Sequence, residues 1–306
     1  MITAKWLAGH HELIGVTLGT LFGFLARVVM LRSDYRQYPA YPHGKIIHLA
    51  LGLIAGALGA VAVPALMNKD YTAITFLSLA AQQFREVRNM ERGTLTAIDH
   101  QELVPRGATY IEGIAVVFEG RNYLSIATAL IVSFAATIIG WIWGVLLGIV
   151  CIAIVLRFMK GKTIKDIAEV SFAPVKAENA SVTVGPVYMM NVGLESDLEI
   201  IRKQAIGFIL TPVSDDAKVT LSNLGLRQAI LHDLSTRLGV YRDDGEPALL
   251  PMAKLDLDTG ALGVLLLPRE HGMEKALKAM RDVPLLESAV RRPTKANKTK
   301  GEPAHG

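Results

Sequence analysis

Residues 124–158 carry a single charge, Arg157. As one helix this stretch would be about 52 Å long at 1.5 Å per residue, well beyond a hydrocarbon core of about 30 Å. Two helices divided near Gly140 and Trp141 fit that thickness, and Trp141 and Trp143 then fall at an interface, where indole rings are enriched. Residues 13–30 form another run, long enough to cross, too long for a signal-peptide core and without a small-residue cleavage site, so it is expected to be retained. Residues 46–67 form a third, interrupted only near its ends by His48 and Pro64. Residues 71–87 are apolar for a shorter stretch and would cross only with Arg85 and Arg88 snorkelling.

The expected fold is therefore an α-helical membrane bundle of about five transmembrane helices over residues 1–160, followed by a small cytoplasmic α+β domain over 161–290 and a disordered basic tail over 291–306. The spans are expected near 13–30, 46–67, 71–87, 124–140 and 141–158, with an amphipathic helix over 108–123. Charge placement orients the bundle. With the N-terminus outside, the inner side receives Arg32, Arg36, Lys45, Arg85, Arg88, Arg92, Arg106, Arg121, Arg157, Lys160, Lys162 and Lys165, whereas the outer side receives only Lys5 and Lys69. A sequence pI near 9.1 thus reflects membrane topology and is not a signal for nucleic acid. The single cysteine, Cys151, lies inside an apolar span, so neither a disulfide framework nor a thiol metal site is expected.

Small residues recur at helical spacing. Gly15, Gly19 and Gly23 fall on one face of the first span, Gly52 and Gly56 on the second, and Gly140, Gly144 and Gly148 on the last. Such stripes let helix backbones approach closely where lipid supplies no hydrophobic drive, either within the chain or between copies.

The strongest charge pattern lies between the third and fourth spans. Arg85, Arg88 and Arg92 share a narrow helical stripe. Further on, Glu112, Glu119 and Tyr123 share another, with Tyr110, Ile111, Ile114, Val117 and Phe118 on the opposite side. Glu112 is then the wet side of a surface helix, one half of an ion-pair ladder with the arginines, or an ionisable group on a conduction path. The spacing leaves the three open.

The string Tyr110-Ile111-Glu112-Gly113-Ile114-Ala115 resembles the signature of the YIEGIA family of bacterial membrane proteins, and the flanks at residues 30–44, 80–92, 102–109 and 119–124 resemble the same family. The resemblance implies a multi-pass protein of endospore-forming Firmicutes, a role in sporulation or the spore envelope, and assembly as a homo-oligomer or with a small capping protein. It supplies no catalytic residues.

Other motifs are weak. His10, His11 and Glu12 are adjacent rather than spaced for zinc. Asp258-Thr259-Gly260 spells an aspartic-protease tripeptide but sits where a hairpin turn explains it. The Tyr-Pro steps within residues 32–43 make an extended loop that either docks a lipid headgroup or partner or braces a helix turn. Strand patterns at 181–189, 205–213, 249–257 and 261–267 and helical patterns at 194–204, 221–238 and 272–280 make up the soluble domain. The expected function is a structural or assembly component of a membrane complex in contact with lipid, without cofactor or enzymatic activity, with a channel or transporter as the competing reading.

Overall fold

The computed structural model describes residues 10–38, 42–159, 161–240, 251–270 and 272–295, without the side chains of Pro42, His43, Arg85 and Phe158. Lys5, Pro39, Tyr41, Lys160, the start of the 249–257 strand and the basic tail beyond 295 lie outside these residues. The chain divides into a helical unit, Met1–Gly93 with Ile114–Gly161, and a mixed unit, Thr94–Gly113 with Lys162–Gly306.

Among the described residues five long helices carry the first half: α1 (His11–Asp34), α2 (Pro42–Met67), α3 (Tyr71–Asp99), α4 (Ala108–Ile138) and α5 (Trp141–Phe158). Among the described residues three helical stretches are long and apolar enough to cross a membrane: α1, Gly44–Met67 within α2, and α4. Within α5, Trp141–Arg157 is a shorter apolar helix. The segment expected over 71–87 runs on to Asp99, and its charged second half takes α3 out of the group apolar enough to span. Where the sequence suggested an amphipathic helix at 108–123 and a separate span from 124, the structure has one uninterrupted helix. No proline interrupts residues 108–138, and continuing the helix satisfies every peptide group internally.

The break between α4 and α5 falls at Gly140, whose φ of 135° is a conformation that side-chain-bearing residues rarely adopt. The other glycines of the stripes lie at helix crossings. A Cβ built on Gly19 would lie 2.7 Å from the Ala129 carbonyl oxygen, and one on Gly23 would lie 2.9 Å from the Gly56 Cα. Gly15 faces Thr137 and Ser133, Gly56 faces the Thr20 carbonyl, Gly144 faces Ala136 and Gly148 faces the Phe22 ring. The stripes on α1, α2 and α5 therefore contact helices of the same chain. Two hydroxyls add polar links: Ser125 donates to the Gly23 carbonyl at 2.7 Å and Ser133 to the Ala60 carbonyl at 2.9 Å.

The mixed unit holds two antiparallel sheets. One has the order β1 (Ala168–Ala173), β5 (Ile206–Pro212), β7 (Leu262–Leu266), β6 (Met252–Leu255); the other runs β2 (Val175–Glu178), β3 (Ser181–Val184), β4 (Val187–Asn191). Helices α6 (Glu195–Gln204), α7 (Asp215–Leu221), α8 (Leu224–Leu238) and α9 (Met273–Arg281) accompany the sheets. Val182, Val184, Met189, Ile201 and Leu265 belong to one buried apolar cluster. The single strand expected at 181–189 is a hairpin turning at Gly185, and the single helix expected at 221–238 is the last residue of α7 followed by α8. Ser214 caps α7 by accepting from the Ala217 amide at 3.2 Å. Between β6 and β7 the Asp256 carboxylate accepts from the Thr259 hydroxyl at 2.5 Å and the Asp258 amide at 3.2 Å, and Gly260 has φ of 74°. These bonds hold the Asp256 carboxyl below its usual range, and the Asp-Thr-Gly string is a hairpin turn.

Candidate functional site: a buried polar network in the helical unit

A single charged side chain inside an apolar bundle is costly unless other charges and hydrogen bonds satisfy it. Arg27 is fully buried although it lies in the apolar run of α1. It is placed there because α1 continues to Asp34, which puts Arg27 two turns inside the helix end. Its Nη1 donates to Asp34 Oδ2 at 2.7 Å and its Nε to Asn122 Oδ1 at 3.0 Å. Its guanidinium carbon lies 4.5 Å from the centre of the Phe118 ring. Gly52 makes room for the stem, because a Cβ there would lie 2.6 Å from Arg27 Cγ.

Asp34 is shared. Its second oxygen pairs with Arg121 of α4, and both side chains are buried. On the other side of Phe118 lies His48, with ring centroids 4.7 Å apart. His48 Nδ1 is 3.1 Å from the Tyr35 hydroxyl, and its Nε2 is 3.5 Å from Glu91 Oε1. The Tyr38 hydroxyl donates to the other Glu91 oxygen, and the Tyr38 ring meets His48 edge-on. Both guanidinium groups thus face the Asp34 carboxylate, while Glu91 faces a hydroxyl and an imidazole. Arg27 Nη2, Asn122 Nδ2 and His48 Nε2 are among the buried nitrogens without a hydrogen-bond partner among the described residues.

Few of the charges singled out by spacing enter this network. Arg88 Nη1 lies 3.5 Å from Glu119 Oε2, and the Tyr123 hydroxyl donates to Glu119 Oε1 at 3.2 Å, so one arginine of the first stripe meets the acidic stripe near the surface. Arg92 is exposed, the Arg85 side chain is outside the described set, and Glu112, half-buried, belongs to the mixed unit. The Arg88–Glu119 pair is partly exposed, so Glu119→Gln is expected to cost no more than about 1 kcal/mol in a detergent thermal melt. Sequence reading missed Glu91, Arg121 and Asn122 as buried groups. One signal for Glu91 was present: Phe84, Val87 and Glu91 share a helical stripe, and all three are buried.

The mixed unit has its own polar group around the segment preceding α4. The Asp99 carboxylate accepts from the Arg106 amide at 2.5 Å and the Gly107 amide at 3.0 Å, and Arg106 Nη1 lies 3.2 Å from Glu102. His232 Nδ1 donates to the Val104 carbonyl at 2.8 Å. Burial pushes the His232 imidazole pKa down and the Asp233 carboxyl pKa up. For His232 the folded state resists the proton that the unfolded chain accepts near pH 6.5, so stability falls as the pH drops below about 6.5. His232→Gln is expected to flatten that part of the profile. Denaturant unfolding at about pH 7.5 and about pH 5.5 checks it, and an unchanged difference between the two would refute it. Among the described residues no cluster of His, Cys, Asp and Glu could hold a metal.

The model of the family described as YIEGIA protein matches residues 15–296. One relative, named Uncharacterized protein YphB, from Bacillus subtilis (strain 168), is 50% identical over 280 residues, which is 91% of this chain and 94% of the relative. No solved structure matches the chain.

Proposed function

Because the chain belongs to the YIEGIA family, we propose that it is a multi-pass cell-membrane protein that acts as a structural or assembly component of an envelope complex, in a process linked to sporulation. The observation that carries this reading is the internally paired network: Arg27 and Arg121 against Asp34, and Tyr38 and His48 against Glu91. Charges locked against one another brace a scaffold, whereas a conduction path needs groups that exchange partners with the solute. The glycine contacts between α1, α2, α4 and α5 support the same reading, since they close the helices on one another. On this reading the N-terminus is outside, about five spans cross, and the C-terminal domain faces the cytoplasm, where it engages a second copy or a small capping protein. No enzymatic step and no nucleic-acid partner are part of the proposal. The link to sporulation rests on the family's occurrence in endospore-forming Firmicutes.

A channel or transporter is the second reading, favoured by one observation: the buried donors Arg27 Nη2 and Asn122 Nδ2 would suit a small anion or water. Intact-complex mass measurement after detergent extraction, together with anion flux in proteoliposomes, separates the two. The assembly reading expects a discrete complex, no flux, and reduced spore yield or envelope integrity on deletion. Flux abolished by Asn122→Leu in an otherwise intact complex would overturn it.

A further inference from the structure

At the C-terminal ends of α1 and α5 an open groove of about 550 Å³ is lined by Val29, Arg32, Ser33, Arg36, Leu156, Met159 and Gly161. Its walls differ in chemistry. Val29, Leu156 and Met159 are apolar and lie on the membrane helices or immediately beyond them, whereas Arg32 and Arg36 stand at the end of α1.

Among the described residues neither arginine meets a carboxylate. Arg36 Nη2 donates only to uncharged acceptors, the Ser33 hydroxyl at 2.9 Å and the Met159 carbonyl at 3.1 Å. Arg32 forms no ion pair or hydrogen bond among the described residues. The only acid in residues 30–45 is Asp34, and it is buried and committed to Arg27 and Arg121. The groove is also shaped around the guanidinium. A Cβ on Gly161 would lie 2.6 Å from Arg36 Nη1 and 2.9 Å from its Cζ, so only the absence of a side chain lets Arg36 lie where it does.

We propose that this groove binds the phosphate of an anionic phospholipid, with Arg32 and Arg36 on the headgroup and Val29 and Leu156 along the upper acyl chain. Charge complementarity chooses the occupant: two guanidinium groups that meet no carboxylate among the described residues call for a phosphate, and the adjoining apolar wall calls for a chain attached to it. A free phosphate would leave that wall wet, and a zwitterionic lipid would bring its own cation to the two arginines. The site rests on the membrane reading of α1 and α5 but not on the assembly reading. It gives the positive-inside arginines at this end of α1 a definite ligand in place of a diffuse attraction to the leaflet.

Native mass spectrometry of the full chain in detergent tests this, using phosphatidylglycerol and phosphatidylcholine with the same acyl chains. Wild type is expected to retain one phosphatidylglycerol per chain in clear preference to phosphatidylcholine. Arg32→Gln and Arg36→Gln should each weaken that retention about fivefold, and the pair about 25-fold. Gly161→Val, which changes no charge, should weaken it severalfold by displacing Arg36. Arg92→Gln, a basic residue outside the groove, should leave it unchanged. Equal retention of the two lipids, an equal loss with Arg92→Gln, or full displacement by millimolar inorganic phosphate would overturn the proposal. Failure to recover the chain from the membrane fraction would overturn the membrane reading and the site with it.

Discussion

Asp34→Asn is expected to destabilise the helical unit by about 3–5 kcal/mol, because it leaves Arg27 and Arg121 buried against a neutral amide. Most of that cost is the desolvation of two guanidinium groups that no longer face a full charge. The sharper test is compensation. Adding Arg27→Met to Asp34→Asn removes one of the two stranded cations, so the double variant should be more stable than Asp34→Asn alone. A thermal melt in detergent, scored as a double-mutant cycle, reads this coupling. A cost of less than about 1 kcal/mol for Asp34→Asn would mean that water reaches the network, and desolvation of the two arginines would not explain its pairing.

Gly23→Ala is the second large effect. The added Cβ would lie 2.9 Å from the Gly56 Cα, 2.8 Å from the Ala129 Cβ and 3.0 Å from the Ser125 carbonyl oxygen. Two of these three atoms are backbone, so no side chain can swing aside, and α1 must move away from α2 and α4. A loss of about 1–3 kcal/mol is expected, with the Ser125 to Gly23 hydrogen bond lost at the same time. Gly120→Ala is the matched control. Nothing lies within 4 Å of a Cβ there, so the helix should gain about 0.5–1 kcal/mol. If both substitutions shift the melting temperature in the same direction, close helix approach does not explain the stripe.

The helices and the glycine spacing could be read from the sequence because both depend on one-dimensional patterns, hydropathy over a window and small residues at every fourth position. The polar network could not. Arg27 and Asn122 are separated by 95 positions, and no local spacing relates them. The apolar run that contains Arg27 ends at Met30, whereas α1 continues to Asp34 and so places Arg27 two turns inside the helix end. Glu112 drew notice as a lone acid before a span, yet the acids that enter the network are Asp34 and Glu91, which sit among arginines and look solvated. In the mixed unit, β1 and β2 were missed because Pro174 divides residues 168–178 into two short strands that pair in different sheets.

The family signature itself has a packing explanation. Tyr110, Ile111, Ile114 and Ala115 are buried, and a Cβ on Gly113 would meet the Ser288 hydroxyl and lie 3.0 Å from Leu286 Cδ2. Gly225 returns the contact from α8, where a Cβ would lie 3.0 Å from the Thr109 carbonyl oxygen. Glu112 is the residue left between small and apolar neighbours on this tightly enclosed turn.

The pairing of Arg27 with Asp34 also bears on how the chain is made. The two residues lie seven apart on the same helix, so α1 leaves the ribosome carrying its own counter-ion before any later helix exists. Arg121 has no such provision: its carboxylate partner is Asp34, translated far ahead of it. The first helix is thus a prerequisite for the charge balance of the fourth, and the dependence does not run the other way. A chain truncated ahead of His11 is spared this problem, whereas one restarted after Asp34 would leave Arg121 without that partner.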